Sequence, residues 1–518
     1  MSKKLTLLAG CLALGFSTIN AADSTSSKAD DLAGWPQVNG PTGNFVPRKY
    51  GCTLIDDLKQ AKAVWTSEDN DLGYGKTSSG GGSGVRSVWP GHPGSANGLI
   101  AAEGKIFAAS FRPVGEQIYL AWVNTSKVTG ERLERLKNSA RVNAEDFVIA
   151  IDQNTGKTVW KTIEPGGINR AMGKRGGWCI TPAYYQGRVF SLSTVGRLYC
   201  HDAKDGKRLW ASDIGPTHQR WLAQLKEGCE KQGGMPGEEK SVSLVVADGV
   251  LIVPLYDTDA GSISLRGVAV ADGKTLWELK DATSRTGTPA VWRHQGREYL
   301  IAGIAGNLEK RTGKVRLIDP QDGKVLWTID NLGNNHFALA PSDQYLVVNV
   351  RSEQKQEKAC HWMRLGCYEI SLTGAKLLWT VPDTNEFWIE GHSEASDWRK
   401  YMIRDGKVYF YAFVKGTPTY ILDAATGKVL ASAQNLGCAG QTYFVEDRIL
   451  VIPDASHTNV RMQWWSLDLK PIGSVWAPPH KGTTGYNVFM EFPYVNGRIF
   501  MRALEGTVRC YDLRAAAK

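Results

Sequence analysis

The stretch "EFWIEGHSEASDW" brings Glu390, His392, Glu394, Asp397 and Trp398 within a few residues of one another. Carboxylates beside an imidazole can exchange protons near neutral pH, the raw material of acid–base chemistry on a sugar or an alcohol. Tyr486, much later in the chain, offers one more hydroxyl to such a set. The cluster has no diagnostic spacing, and a polar loop between structural elements accounts for it with fewer assumptions. A second group of residues suits recognition better than catalysis. Arg285 and Lys240 are the right types to pair with oxyanions, and Trp178 to stack on a ring. Asn335 and His336 add hydrogen-bonding capacity. Such a set would suit an anionic or sugar-like ligand. The plainer reading is polar groups that satisfy one another around a wet channel.

What would bring these scattered residues to one face is a repeat. "DQNTGKTVW" ends at Trp160, "DAKDGKRLW" at Trp210, "AVADGKTLW" at Trp277 and "DPQDGKVLW" at Trp327. "SLTGAKLLW" ends at Trp379 and "DLKPIGSVW" at Trp476, while "DAATGKVLA" puts Ala431 where a Trp is due. The period is about 50 residues, which belongs to propeller blades and similar arrays. Between these phrases lie apolar runs broken by a turn, such as "YYQGRVFSL", "VVADGVLIV", "MIRDGKVYFY" and "YVNGRIFMR". Each reads as a hairpin. Two hairpins per period make a four-stranded blade. In each blade the Gly permits the turn, the Asp accepts turn N–H groups, and the Trp fills the space against the neighbouring blade. After "YVNGRIFMRALEGTVRCYDL" only "RAAAK" remains, whereas "AKAVW" ends at Trp65 with no inner strands before it. The expectation is therefore an all-β, eight-bladed β-propeller over residues 54–518, its last blade completed by the N-terminal strand. Aligning the blades puts residues 92–95, Trp178, Lys240, Arg285, Asn335, His336, residues 392–397, Cys438 and Tyr486 at the starts of the innermost strands, around one mouth of the channel. Two insertions, about 112–145 and 212–240, carry helical patterns ("GERLERLKNSAR" and "THQRWLAQLKEG", with Thr217 as a cap) and sit where they could cover a mouth or decorate the rim.

The bulk properties fit. The 518 residues are 42% hydrophobic and 22% charged, the composition of a globular protein. The start "MSKKLTLLAGCLALGFSTINAADS" has a basic opening, an apolar stretch and small residues up to Ala21, the pattern of a secretory signal over residues 1–21. "LAGC" also matches a lipoprotein box that would lipidate Cys11, a reading placed second because the apolar stretch continues past it. Residues 22–53 then form an N-terminal extension. Removing the signal lowers the formal charge of +9 to +7, and no dense Lys/Arg block stands out, so nucleic-acid binding is excluded as a leading class. No later segment approaches the ~20 apolar residues of a membrane helix. These readings point to a periplasmic or secreted monomer. Eight cysteines would remain after cleavage, none with haem-attachment or zinc-type spacing. They are either disulfides or buried thiols, with Cys360 and Cys367 the nearest candidates for a pair.

The Asp-x-x-x-Gly-Lys-x-x-Trp phrase resembles the tryptophan-docking repeat of quinoprotein-type eight-bladed propellers. "GWPQVNGPTGNFV" at residues 34–46 resembles the Trp-Pro-Gln-x-x-Gly-Pro opening of exported bacterial pyrroloquinoline-quinone-like repeat proteins. The resemblance implies a fold that hosts quinone-dependent dehydrogenases, outer-membrane assembly lipoproteins and proteins of other roles. A quinone cofactor with Ca²⁺ would require basic partners, an aromatic platform, oxygen ligands and a carboxylate base. Arg285, Lys240, Trp178, Asn335, His336, Glu390, His392 and Asp397 could supply these by type. The sequence departs from the dehydrogenases in lacking their adjacent Cys-Cys pair and the Trp-Asp dipeptide of the platform strand. The metal and cofactor therefore stay unassigned. The favoured reading is a non-catalytic propeller that binds a small molecule, a glycan or an envelope protein. A quinone-dependent alcohol or sugar dehydrogenase comes next, then a polysaccharide lyase or hydrolase.

Overall fold

The computed structural model describes residues 34–44, 46–72, 98–115, 130, 141, 143–168, 180–214, 223, 242–255, 262–284, 287–304, 313–333, 335, 339–353, 362–387, 389–390, 401–411, 418–433, 442–451, 455–456, 459–479, 492–503 and 506–516. Within them the chain folds into eight four-stranded sheets and one two-stranded ribbon. The fold is the expected all-β propeller. Blades 1 to 7 occupy residues 100–168, 183–213, 245–284, 290–332, 345–390, 401–433 and 442–476. Blade 8 takes three strands from residues 494–512 and its outer strand from Lys62–Thr66, which pairs antiparallel with Val508–Asp512. The ring is thus closed as the repeat count required, which leaves no sheet waiting for a fourth strand at that seam.

Most blades begin with a tight hairpin at the channel, and blades 1, 2, 4 and 6 pass to the outer strand through an Asp-to-Gly turn. In blade 1, Asp152 Oδ1 accepts from Asn154 N (2.9 Å) and Thr155 N (2.8 Å), which fixes the turn. Gly156, at φ 74°, lies under the Trp65 ring of the preceding blade, and a Cβ there would stand 2.7 Å from an indole carbon. Gly206 meets Trp160 in the same way. The Trp ring therefore lies against the next blade's turn, and its indole N–H donates to a carbonyl of that turn, that of the residue after the opening one in five cases and that of the opening residue Ser371 for Trp327. Six tryptophans do this: Trp65, Trp160, Trp210, Trp277, Trp327 and Trp379, at 2.7–3.3 Å.

Blade 5 departs from the pattern. Its three long strands are joined by the two-residue strand Ile389–Glu390, paired with the start of Trp362–Ile370. Beside Tyr345–Arg351 the backbone groups of Asn349 are met by a side chain: Asn335 Nδ2 donates to Asn349 O (3.0 Å) and Asn335 Oδ1 accepts from Asn349 N (2.9 Å). The side-chain amide of Asn335 pairs with one residue's backbone as a neighbouring strand would.

Cys200, Cys367 and Cys510 are buried free thiols, and Cys52 is half-buried and free. The suggested Cys360–Cys367 hairpin is corrected. Residues 362–370 form one extended strand, with Cys367 five residues into it and its Sγ on Ala424 O of blade 6 at 3.4 Å. Cys367 is a free thiol there, and residue 360 lies outside the described residues. Burial pushes this thiol up to about 12. At the first insertion the strands run on through Arg112 to Val114 and resume at Asn143, because Arg112 and Glu145 oppose each other in the ladder and form an ion pair at 2.6 Å. The helical stretches expected in both insertions lie outside the described residues. No helix among the described residues is long and apolar enough to cross a membrane.

Candidate functional site

The two mouths of the ring differ. One is rimmed by the inner hairpins, and residues 34–52 lie across it. Trp35 and Ala101 of blade 1 exchange two backbone hydrogen bonds, at 2.6 and 2.8 Å. Pro36 O accepts from Tyr184 N of blade 2 (2.7 Å), and Gln37 Oε1 from Val246 N of blade 3 (2.9 Å). Asn39 Nδ2 donates to Pro289 O (3.1 Å) and Gly43 O accepts from Val291 N (3.1 Å), both at blade 4. Asn44 Nδ2 donates to Pro341 O ahead of blade 5 (2.9 Å), and Val46 packs on a cluster that includes Met402 and Tyr409 of blade 6. Tyr50 N and Gly51 N then donate to the two oxygens of Glu446 in blade 7, at 3.0 and 3.1 Å. Cys52 Sγ contacts Asn496 Oδ1 of blade 8 at 3.4 Å. The segment touches the blades in ring order. Trp35 is fully buried, its ring 6.4 Å from that of Tyr443.

Above this floor, buried hydroxyls tie neighbouring blades together just before their innermost strands. Thr181 Oγ1 accepts from Gly98 N (2.9 Å), Ser243 Oγ from Thr181 N (3.1 Å) and Thr288 Oγ1 from Ser243 N (2.9 Å). These bonds set the spacing of blades 1 to 4 near the channel. Trp35 Nε1 and Asn39 Oδ1 are buried without a hydrogen-bond partner, which leaves one donor and one acceptor unspent beside the channel.

The opposite mouth is where the sequence places the candidate residues. Trp178, Lys240, Arg285, His336, His392, Asp397, Cys438, Tyr486 and residues 92–95 lie outside the described residues. The backbone of Glu390 is placed, opposite Trp362 in blade 5. Asn335 is 1% exposed, and both of its amide hydrogens are spent, on Gly333 O and Asn349 O, each at 3.0 Å. That engagement is structural, so a ligand would find this amide already occupied. Among the described residues no three His, Cys, Asp or Glu side chains gather around one metal position.

The structure also brings together a polar set that sequence reasoning missed. Asp146 and Glu164 are cross-strand neighbours in blade 1, and both are buried against blade 2. Like charges directly opposed are unfavourable unless compensated. Thr194 N and Oγ1 donate to Asp146, each at 3.2 Å. His201 Nε2 lies 3.0 Å and Arg208 Nη1 2.6 Å from Glu164. Burial works to raise the Glu164 pKa, but His201 and Arg208 together hold it below the usual carboxylate range. A void of about 10 Å³ sits beside them, lined in part by Ser110, Asp146, Glu164, Ser193 and Tyr199. That is room for about one water. Arg502 of blade 8, 1% exposed, reaches the same region, with Nη2 3.3 Å from Ser110 Oγ. This arrangement holds blades together. The signal in the sequence was two acids, Asp146 and Glu164, at inward positions of strands otherwise rich in apolar residues.

Comparison with known proteins follows the fold. A family model described as outer membrane protein assembly factor BamB matches residues 144–433. The dehydrogenase subunit of a quinone alcohol dehydrogenase from Acetobacter aceti is 24% identical over 249 residues, 39% of this chain, and the match spans only 31% of that relative's length. BamB from Moraxella catarrhalis is similar over 73% of this chain and 93% of its own, at 13% identity and a TM-score of 0.44. A quinohemoprotein alcohol dehydrogenase from Pseudomonas putida HK5 is similar over 95% of this chain and 82% of its own, at 12% identity and a TM-score of 0.49.

Proposed function

The chain belongs to the family described as outer membrane protein assembly factor BamB, and from that premise we propose an exported, non-catalytic propeller that holds a ligand or protein partner on one face of its ring. The observation that supports this reading is the segment across the hairpin mouth. With the described residues of 34–52 bonded to blade after blade there, recognition of an outside partner is assigned to the opposite mouth, to which the repeat alignment of the sequence assigns Trp178, Lys240 and Arg285. A ring of blades braced by indole and hydroxyl bonds presents loops at fixed separations, which suits recognition without reorganisation. The setting proposed is the periplasm or the cell exterior, with residues 1–21 removed and the mature chain a monomer.

The test is site-specific photo-crosslinking in the producing cell. Probes at Trp178 and Arg285 are expected to trap a discrete adduct, and a probe at Lys274, on an outer turn of the hairpin face, is expected to trap none. Adducts from Lys274 alone would overturn the reading. The quinone dehydrogenase is the second reading, favoured by the Acetobacter aceti match. Bound pyrroloquinoline quinone with Ca²⁺ would supply hydride or electron acceptance, and Arg285 and Lys240 are of the type that would pair with its carboxylates. A ligand that binds only the folded state must raise the thermal midpoint. A rise with quinone and Ca²⁺ that disappears in Arg285→Ala would establish it in place of the platform.

A further inference from the structure

We propose that the hairpin mouth is a peptide-recognition site, that residues 34–52 are its ligand bound in cis, and that it takes an uncharged segment of this sequence, read through Trp35, Gln37, Asn39 and Asn44 and folded by turns that Gly40 N closes on Gln37 O and Gly43 N on Gly40 O. Three observations carry this. First, the segment makes its contacts as a bound peptide does. Its described residues contain no strand, only the isolated bridge Trp35–Ala101, and Gln37, Asn39 and Asn44 reach blade backbone groups through side-chain amides. Side-chain amides that read backbone N–H and C=O groups are a recognition device, and the buried Trp35 is the aromatic anchor that peptide sites favour.

Second, the ring does not depend on the segment for closure. Closure comes from Lys62–Thr66 paired with Val508–Asp512, beyond the far end of the segment. The segment and the ring are therefore separable in principle, as ligand and receptor are. Third, the segment is uncharged where it meets the first six blades. Residues 34–46 contain no charged side chain, and charge returns only at Arg48 and Lys49, which are exposed. Glu446 then ends the site, its carboxylate taking Tyr50 N, Gly51 N and the Tyr494 hydroxyl (2.8 Å). Next to this latch lies a cavity of about 310 Å³, bordered by Lys49, Cys52, Asp447 and Arg448.

The experiment uses the full mature chain and a fluorescent peptide with the sequence of residues 34–51. Fluorescence anisotropy is recorded for the parent protein and for the double variant Trp35→Ala/Gln37→Ala. The parent is expected to ignore the peptide, because its own segment fills the mouth. The variant is expected to bind it, to gain thermal stability on binding, and to bind a peptide with Ala in place of its Trp at least tenfold more weakly. A folded variant that ignores the peptide up to millimolar concentration, or a parent that binds as well as the variant, overturns the proposal. Should the double variant not fold, hydrogen exchange on the parent decides. The amides of Trp35, Tyr50 and Gly51 are expected to exchange in one class with those of Tyr184, Val246 and Val291. Fast exchange of the first three while the others stay protected overturns it.

Discussion

Blades 5 and 6 are joined by Trp379, whose indole N–H reaches Ala424 O at 2.9 Å. Blades 6 and 7 have no such Trp, because Ala431 stands in its place. There the Tyr409 hydroxyl, from the second strand of blade 6, donates to Leu467 O at 3.2 Å. Leu467 follows Ser466 as Ala424 follows Asp423, so both donors meet the equivalent carbonyl. The Tyr409 ring also packs edge-on to Phe444 of blade 7 with centroids 5.0 Å apart, and burial pushes its hydroxyl up to about 12. At this junction the aromatic mass and the donor at that carbonyl are kept although the Trp is absent. The strand that delivers them can change.

Five substitutions test this. The largest effect is expected from Trp379→Ala, a loss of about 3 kcal/mol in urea unfolding, because it removes both the mass and the donor. A loss below ~1 kcal/mol would break the comparison. Next comes Ala431→Trp, expected to cost about 2 kcal/mol because Tyr409 already fills the space. Adding Tyr409→Ala should recover much of that loss, and strict additivity of the two in a double-mutant cycle would show that the sites do not share a space. Tyr409→Phe keeps the ring and removes the donor, for an expected loss of about 1 kcal/mol. The smallest effect at neutral pH is expected from Glu164→Gln, at the junction held by charge. The folded Glu164 pKa lies below its unfolded value. Its contribution is therefore present above the unfolded pKa of about 4.3 and is lost as pH falls through the folded value. The parent should lose stability between about pH 5 and pH 3 more steeply than the variant, read as urea midpoints against pH.

The architecture was legible because its determinants are local and repeated. Asp152, Gly156 and Trp160 recur with their spacing, and the unpaired "AKAVW" announced the closing strand. The compensating Tyr409 was not legible, because nothing near Ala431 in sequence says which distant ring will fill the gap. Asn335 looked like a ligand residue because an isolated polar side chain gives no sign that it will pair with a backbone as a strand would. Cys360 and Cys367 looked like a loop pair because their spacing suits a hairpin, while the alternation of residues 362–370 belongs to a strand. Glu164 and His201 come together only through the packing of blade 1 on blade 2, a contact between different repeat units that no single repeat encodes.

The outer strand of blade 8, Lys62–Thr66, is made long before its partner, Val508–Asp512. A ribosome adding about 5–20 residues per second needs tens of seconds to pass from one to the other. Throughout that interval the early strand has no partner to pair with. Each newly made chain therefore passes through an open-ring stage during which its first strand must be kept from pairing elsewhere, and a chain that stops short of residue 508 never leaves that stage.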